Sequence, residues 1–167
     1  MTTHPDTAAG MEAAYRRYIS RYPGAVKRAL ASDSPIDFAG LNAWSFPLLV
    51  VVGDGAQSIV RMFDEAQFDA MFRELYRGYQ ARGWDGRVTI DSVAVMPVAA
   101  NLGLLEATGT RYLADGQVLD RWDTCYLMRR EADDWRTFLM TDGKAPRPGR
   151  DEWLAWLQGL DHLVGGR

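Results

Sequence analysis

TRYLADGQVLDRWDTCYLMRR, residues Thr110–Arg130, reads as two strands joined by a turn. Runs rich in aromatic and β-branched residues flank Asp115-Gly116, a dipeptide that tolerates the positive φ values of a two-residue type I′ hairpin turn. Such a turn pairs Ala114 with Gln117 and so sets Tyr112 opposite Leu119, Arg111 opposite Asp120 and Thr110 opposite Arg121. Continuing, Gly109 faces Trp122, Thr108 faces Asp123 and Glu106 faces Cys125. Side chains alternate along a strand, so Glu106, Thr108, Thr110, Arg121, Asp123 and Cys125 share one face of the hairpin. Arg111, Asp120, Trp122, Thr124 and Tyr126 share the other. Neither face is apolar throughout, so one polar set has to lie inside the protein or in an interface.

Working outward, Leu104–Leu113 is the first strand of this hairpin, and Trp135–Thr141 adds another after a polar turn at Glu131–Asp134. Upstream, Val88, Ile90, Ser92, Ala94 and Met96 alternate on one side of a further strand that turns at Asn101–Gly103. Before it lies a well-marked helix. Asp64 and Gln67 form a capping box, Phe63 can staple to Phe68, and Gly83 is placed to end the helix in a left-handed conformation. Its apolar stripe is Phe68, Met71, Phe72, Leu75 and Tyr79. Pro47–Val52 and Ala56–Met62 form a hairpin about Asp54-Gly55. At the start, Met11, Tyr15, Tyr18 and Tyr22 recur at helical spacing, and Pro23-Gly24 then separates them from a short stretch, Ala25–Ala31, which predicts a bent or two-piece helix. Helices, hairpin, helix and a long antiparallel meander make an α+β arrangement.

The chain has 167 residues, 47% hydrophobic and 25% charged, a composition that supports one buried core and excludes collagen-like and disordered classes. A net charge of -3 lacks the broad positive field of nucleic-acid binding, so no nucleic-acid partner is expected. One cysteine, Cys125, and two histidines, His4 and His162, cannot build a Cys/His metal cage; no metal and no cofactor are expected. No apolar run reaches the roughly 18 residues of a membrane span, and Thr2–Asp6 does not read as a signal peptide. A cytoplasmic protein without a membrane partner is the expectation. Residues 1–144 form the main domain. Residues 145–167 form a C-terminal helical extension, joined through Pro146 and Pro148. There Trp153, Leu157, Leu160 and Val164 recur at helical spacing with Trp156 and Leu163 beside them, so the helix must bury this stripe on the outside of the sheet, across a pocket mouth, or in a dimer interface.

Four segments carry a family resemblance: PLLVVVGDG (Pro47–Gly55), the helix end ARGW (Ala81–Trp84), the hairpin quoted above, and DDWRTFLMTD (Asp133–Asp142). Together they resemble the NTF2-like superfamily, and within it the SnoaL-like branch of small bacterial proteins. The resemblance implies a curved antiparallel sheet wrapped around N-terminal helices as a cone, a pocket at its open end, and frequent homodimerisation through the sheet. It implies no particular reaction, because the superfamily includes isomerases, cyclases, dehydratases, carriers and pocketed domains.

In such a pocket the resemblance points to acid-base work by a carboxylate aided by a tyrosine. Asp123 is the candidate base, with Glu106 diagonally across on the same face; burial would raise a carboxyl pKa and Arg121 would lower it. The competing reading makes Glu106, Arg121 and Asp123 a solvated ion-pair ladder on the exposed side of the sheet. Tyr15, Tyr18, Trp44, Thr108 and Arg121 are the candidate ligand-binding residues, with Trp44 closing the mouth; for the aromatic ones the alternative is core packing. Cys125 reads as a small buried hydrophobe. Arg16, Arg17, Arg21, Lys27 and Arg28 read as a solvated helix face. The tyrosine and two aspartates of ketosteroid isomerases find no residue-by-residue match, Leu139 and Thr141 stand where some relatives place a histidine, and GDGA (Gly53–Ala56) is a hairpin turn, not a phosphate loop. The leading expectation is binding of a small, mostly apolar molecule; the alternatives are a cofactor-free acid-base enzyme and a structural dimerisation module.

Overall fold

A computed structural model describes residues 5–53 and 58–141. The expected turn at Asp54-Gly55 and the expected C-terminal helix fall outside the described residues.

Helix α1 (Pro5–Ser32) buries Met11, Tyr15, Tyr18, Ile19, Tyr22 and Val26, a stripe at three- and four-residue spacing. It runs unbroken through Pro23, so of the expected bent or two-piece helix the two-piece form is not the one observed. The proline forfeits one backbone hydrogen bond, but Tyr22 and Val26 on either side are 2% and 0% exposed, and their burial holds the helix together. The short α2 (Phe38–Leu41) is capped by Asp37, which accepts from the Gly40 N–H. Helix α3 (Glu65–Ala81) starts at the predicted capping box, with Asp64 accepting from Gln67 N–H at 2.8 Å and Gln67 Oε1 accepting from Asp64 N–H at 3.0 Å. Phe63 and Phe68 meet at 6.3 Å between ring centroids, and Gly83 has φ +96. The buried face differs by one position: Tyr76 is 1% exposed, whereas Leu75 is 45% exposed.

Six strands form one open sheet in the order β2-β1-β6-β5-β4-β3. These are β1 (Trp44–Gly53), β2 (Ser58–Phe63), β3 (Trp84–Ala99), β4 (Leu102–Leu113), β5 (Val118–Glu131) and β6 (Asp134–Thr141). Every neighbouring pair is antiparallel except β1 with β6. The β4–β5 register is the expected one from Glu106–Cys125 to Arg111–Asp120, then slips so that Tyr112 pairs with Val118 instead of Leu119. The turn explains the slip. Leu113 N–H bonds the Gln117 carbonyl, Gly116 N–H bonds the Leu113 carbonyl, and only Gly116 of the Asp-Gly pair has positive φ, +94. This is a three-residue loop with a glycine bulge rather than a two-residue type I′ turn.

A second irregularity, between Ile90 and Ser92, opposes the consecutive β4 residues Gly109 and Thr108, which leaves Asp91 as an extra residue. The bulge flips the alternation of β3. Val88 and Ile90 therefore share the helix-packed face with Val93 and Val95, not with Ser92, Ala94 and Met96 as expected. The two faces of the sheet are thus distinct: α1, α2 and α3 pack on the inner face, and a smaller strand-only cluster sits on the outer one.

Candidate functional site

Helices α1 and α3 do not close fully on the inner face. A cavity of about 640 Å³ remains, with Tyr18 and Tyr22 from α1, Tyr76 and Tyr79 from α3, and Arg111, Trp122 and Tyr126 from the sheet among its walls. Its size lies within the usual range for small-molecule sites, about 300–1,000 Å³.

Arg111 organises one wall. The residue is 9% exposed, and its guanidinium carbon lies 4.7 Å from the Trp122 ring, 4.8 Å from Tyr79 and 5.6 Å from Tyr76. One terminal nitrogen donates to Asp120 Oδ2 at 3.0 Å and the other to the Tyr76 hydroxyl at 3.2 Å. Tyr79 donates to the same Asp120 oxygen at 2.8 Å. The sheet register makes this possible by placing Arg111 directly opposite Asp120, while Tyr76 and Tyr79, three residues apart, share one face of α3. Trp122 reaches over the arginine because its partner Gly109 has no side chain. Its indole N–H donates to the Tyr15 hydroxyl at 3.4 Å.

Burial is the chief cause of every tyrosine shift here. It pushes Tyr79 up to about 12, opposed by the positive charge of Arg111 and assisted by the hydrogen bond to Asp120. It holds Tyr18, Tyr22 and Tyr126 well above the ordinary phenol value. Tyr18, Tyr22, Tyr79 and Tyr126 therefore keep their phenolic protons and do not act as bases. Tyr22 Oη, Trp44 Nε1 and Arg111 Nε are buried without hydrogen-bond partners, and all three belong to residues of this one cavity wall. Among the described residues no group of His, Cys, Asp or Glu could hold a metal ion.

The sequence-derived candidates divide between the two faces. Tyr18, Trp44, Arg121 and Asp123 line the cavity. Trp44, however, is 6% exposed and packed on Tyr18 and Phe68, so it is part of the buried wall and does not close the mouth. Exposed Leu75, Arg82 and Arg121 rim the opening. Tyr15 stands one layer behind, against Tyr126 at 5.2 Å. Thr108 does not reach the site, because it is on the outer face, bonded to Ser92 at 2.7 Å. Glu106 is also on the outer face, exposed, and accepts from the Cys125 thiol at 3.6 Å. Asp123 alternates with Trp122 and Thr124, which shows its side chain to the same outer side; it touches the cavity only at the rim and is exposed. Asp123 and Glu106 thus share the outer face, both exposed, and Glu106 does not line the cavity. Arg111, Asp120, Tyr22, Tyr76 and Tyr79 are site residues that sequence reasoning missed. The signal for two of them was the Arg111–Asp120 pairing on the aromatic face of the hairpin.

Residues 9–144 match the family described as NTF2-like protein (DUF6841). No curated protein matches the chain significantly. Among solved structures, a ketosteroid isomerase-like protein from Erwinia carotovora atroseptica is 14% identical with a TM-score of 0.51, over 80% of this chain and 92% of that one. An NTF2-like protein of unknown function from Pseudomonas putida is 18% identical with a TM-score of 0.52, over 87% and 92%. A domain of unknown function with a cystatin-like fold from Nostoc punctiforme is 16% identical with a TM-score of 0.52, over 99% and 98%. Identities this low establish a shared fold alone.

Proposed function

The chain belongs to the NTF2-like protein family (DUF6841), and we propose that its inner cavity binds a small, flat, mostly apolar molecule bearing an oxygen that accepts hydrogen bonds. The observation that carries this reading is the coincidence of three unpartnered buried donors, on Tyr22, Trp44 and Arg111, with the aromatic lining of a single cavity. Unpaired buried polar atoms cost free energy, and a ligand oxygen reaching them after a small side-chain rotation would recover it. Aromatic walls favour a planar apolar body through area burial and ring stacking. Asp120 is already engaged by Arg111 and Tyr79, so it is read as part of the binding wall and no proton-transfer role is assigned to it.

The test is a thermal-shift series with naphthalene, naphthol and naphthoate. The reading expects the oxygenated compounds to raise Tm more than naphthalene does. It expects Arg111→Lys, which keeps the charge but loses the planar stacking group, to shrink that difference. If no compound raises Tm, or all three act equally, the proposed recognition is wrong.

A further inference from the structure

The outer face of the sheet holds a second apolar cluster in which Leu104, Cys125, Leu127 and Leu139 are 4%, 0%, 0% and 1% exposed. Leu49, Val51, Met96, Val98, Leu102 and Phe138 surround it, each partly buried. Every one of these residues comes from a strand; α1, α2 and α3 all pack on the opposite face. Leucines in the middle of a bare sheet face keep part of their surface in water, so complete burial of Leu127 and Leu139 requires a covering layer on this side.

The same face shows where the layer stops. On β2, Val60 and Met62 are paired with Val51 and Leu49 and continue the apolar band, yet they are 60% and 68% exposed. Asp123, two residues before Cys125, and Glu106 opposite it are exposed too. The cover therefore sits over β6, β5 and β4 and leaves the outer edge at β2 open.

Strand β6 ends at Thr141, which is 1% exposed on this outer face beside Val51. The chain continues for residues 142–167, whose stripe of Trp153, Leu157, Leu160 and Val164 still needs a surface to pack on. A fourteen-residue helix is about 21 Å long. Strands lie about 4.8 Å apart, so such a helix crosses about four of them, enough for β1, β6, β5 and β4. The intervening residues 142–150 reach about 30 Å when extended, which is ample to bring the helix back across the sheet. We propose that residues 151–164 dock as an amphipathic helix on the outer face of their own sheet, with the tryptophan-leucine stripe over Cys125, Leu127 and Leu139.

Cys125 is the chain's one cysteine and marks the centre of the cluster, which gives a test in the full-length protein. Trp153→Cys, Leu157→Cys, Leu160→Cys and Gln158→Cys would each be oxidised with copper-phenanthroline and the products sized. The proposal expects at least one stripe position to form a disulfide with Cys125 inside a single chain, and Gln158→Cys, on the opposite side of the helix, to form none. It also expects the double substitution Leu157→Glu, Leu160→Glu to raise the rate at which a thiol reagent modifies Cys125 by more than about tenfold in the still-folded protein, through local exposure. Disulfides only between chains, with Cys125 protection lost on dilution, would assign the surface to a second copy and overturn the proposal. Absence of any disulfide from the three stripe positions, with unchanged thiol reactivity in the double variant, would overturn it as well.

Discussion

Gly109 lies directly beneath the indole of Trp122, and a Cβ built on it would overlap both that ring and the Thr89 carbonyl oxygen. The absent side chain is what lets Trp122 lie against the Arg111 guanidinium at 4.7 Å. Gly109→Ala is expected to destabilise the fold by about 1–3 kcal/mol, the usual penalty for overpacking, measured by urea unfolding. An unchanged midpoint would mean that the ring and strand β3 yield more easily than this packing implies.

Gly116 presents the opposite case. It has φ +94, and a Cβ added there would meet nothing within 4 Å, so any penalty comes from backbone strain and not from crowding. Gly116→Val should cost on the order of 1–3 kcal/mol while leaving the cavity intact. A melting temperature equal to that of the parent would contradict the glycine-bulge turn.

Much of the fold is legible in the sequence because the deciding signals are local. Asp64 and Gln67 announce the start of α3, and Asp115-Gly116 marks the hairpin turn, although with the observed three-residue loop it is the extra residue Leu119 on β5 that brings Arg111 opposite Asp120. Face assignment is harder, since it depends on which side the helices cover, and both faces of β5 carry charge. Choosing the side of Asp123 over that of Asp120 follows from this ambiguity. The bulge at Asp91 has no sequence mark of its own, yet it reverses which residues of β3 point inward. Likewise the stripe of α3 contains both Leu75 and Tyr76, and only the tertiary packing selects Tyr76.

Helix α3 carries Tyr76 and Tyr79 into the site, and its first turn depends on a reciprocal cap. Asp64→Ala removes the acceptor for the Gln67 N–H and should lower stability by about 1 kcal/mol. Asp64→Ser should restore most of the loss. Equal stabilities for the alanine and serine variants in chemical denaturation would show that the cap contributes nothing.

Tyr15, Tyr18, Tyr22, Tyr79 and Tyr126 all titrate above the ordinary phenol value of 10.0, with burial the largest cause for each. Their folded values exceed their unfolded ones, so the native state holds phenolic protons that the unfolded chain releases. The associated stability is complete below pH 10 and is lost as pH rises through 10 toward 12, the value to which Tyr79 is pushed. Unfolding midpoints followed across this range should therefore fall steadily above pH 10, and the tyrosinate absorbance of these five phenols should appear together with loss of structure. Early ionisation of these five phenols in a folded protein would contradict their burial.

Binding in the inner cavity is tested most directly by titrating naphthol into the protein in a calorimeter at several temperatures, alongside Arg111→Lys and Trp122→Ala. The account predicts one site per chain and a negative heat-capacity change from burial of apolar surface. It predicts affinity weakened at least about tenfold in both variants, the 1.4 kcal/mol that separates decades of Kd. No heat of binding to the parent protein, or binding that is indifferent to both substitutions, would contradict it.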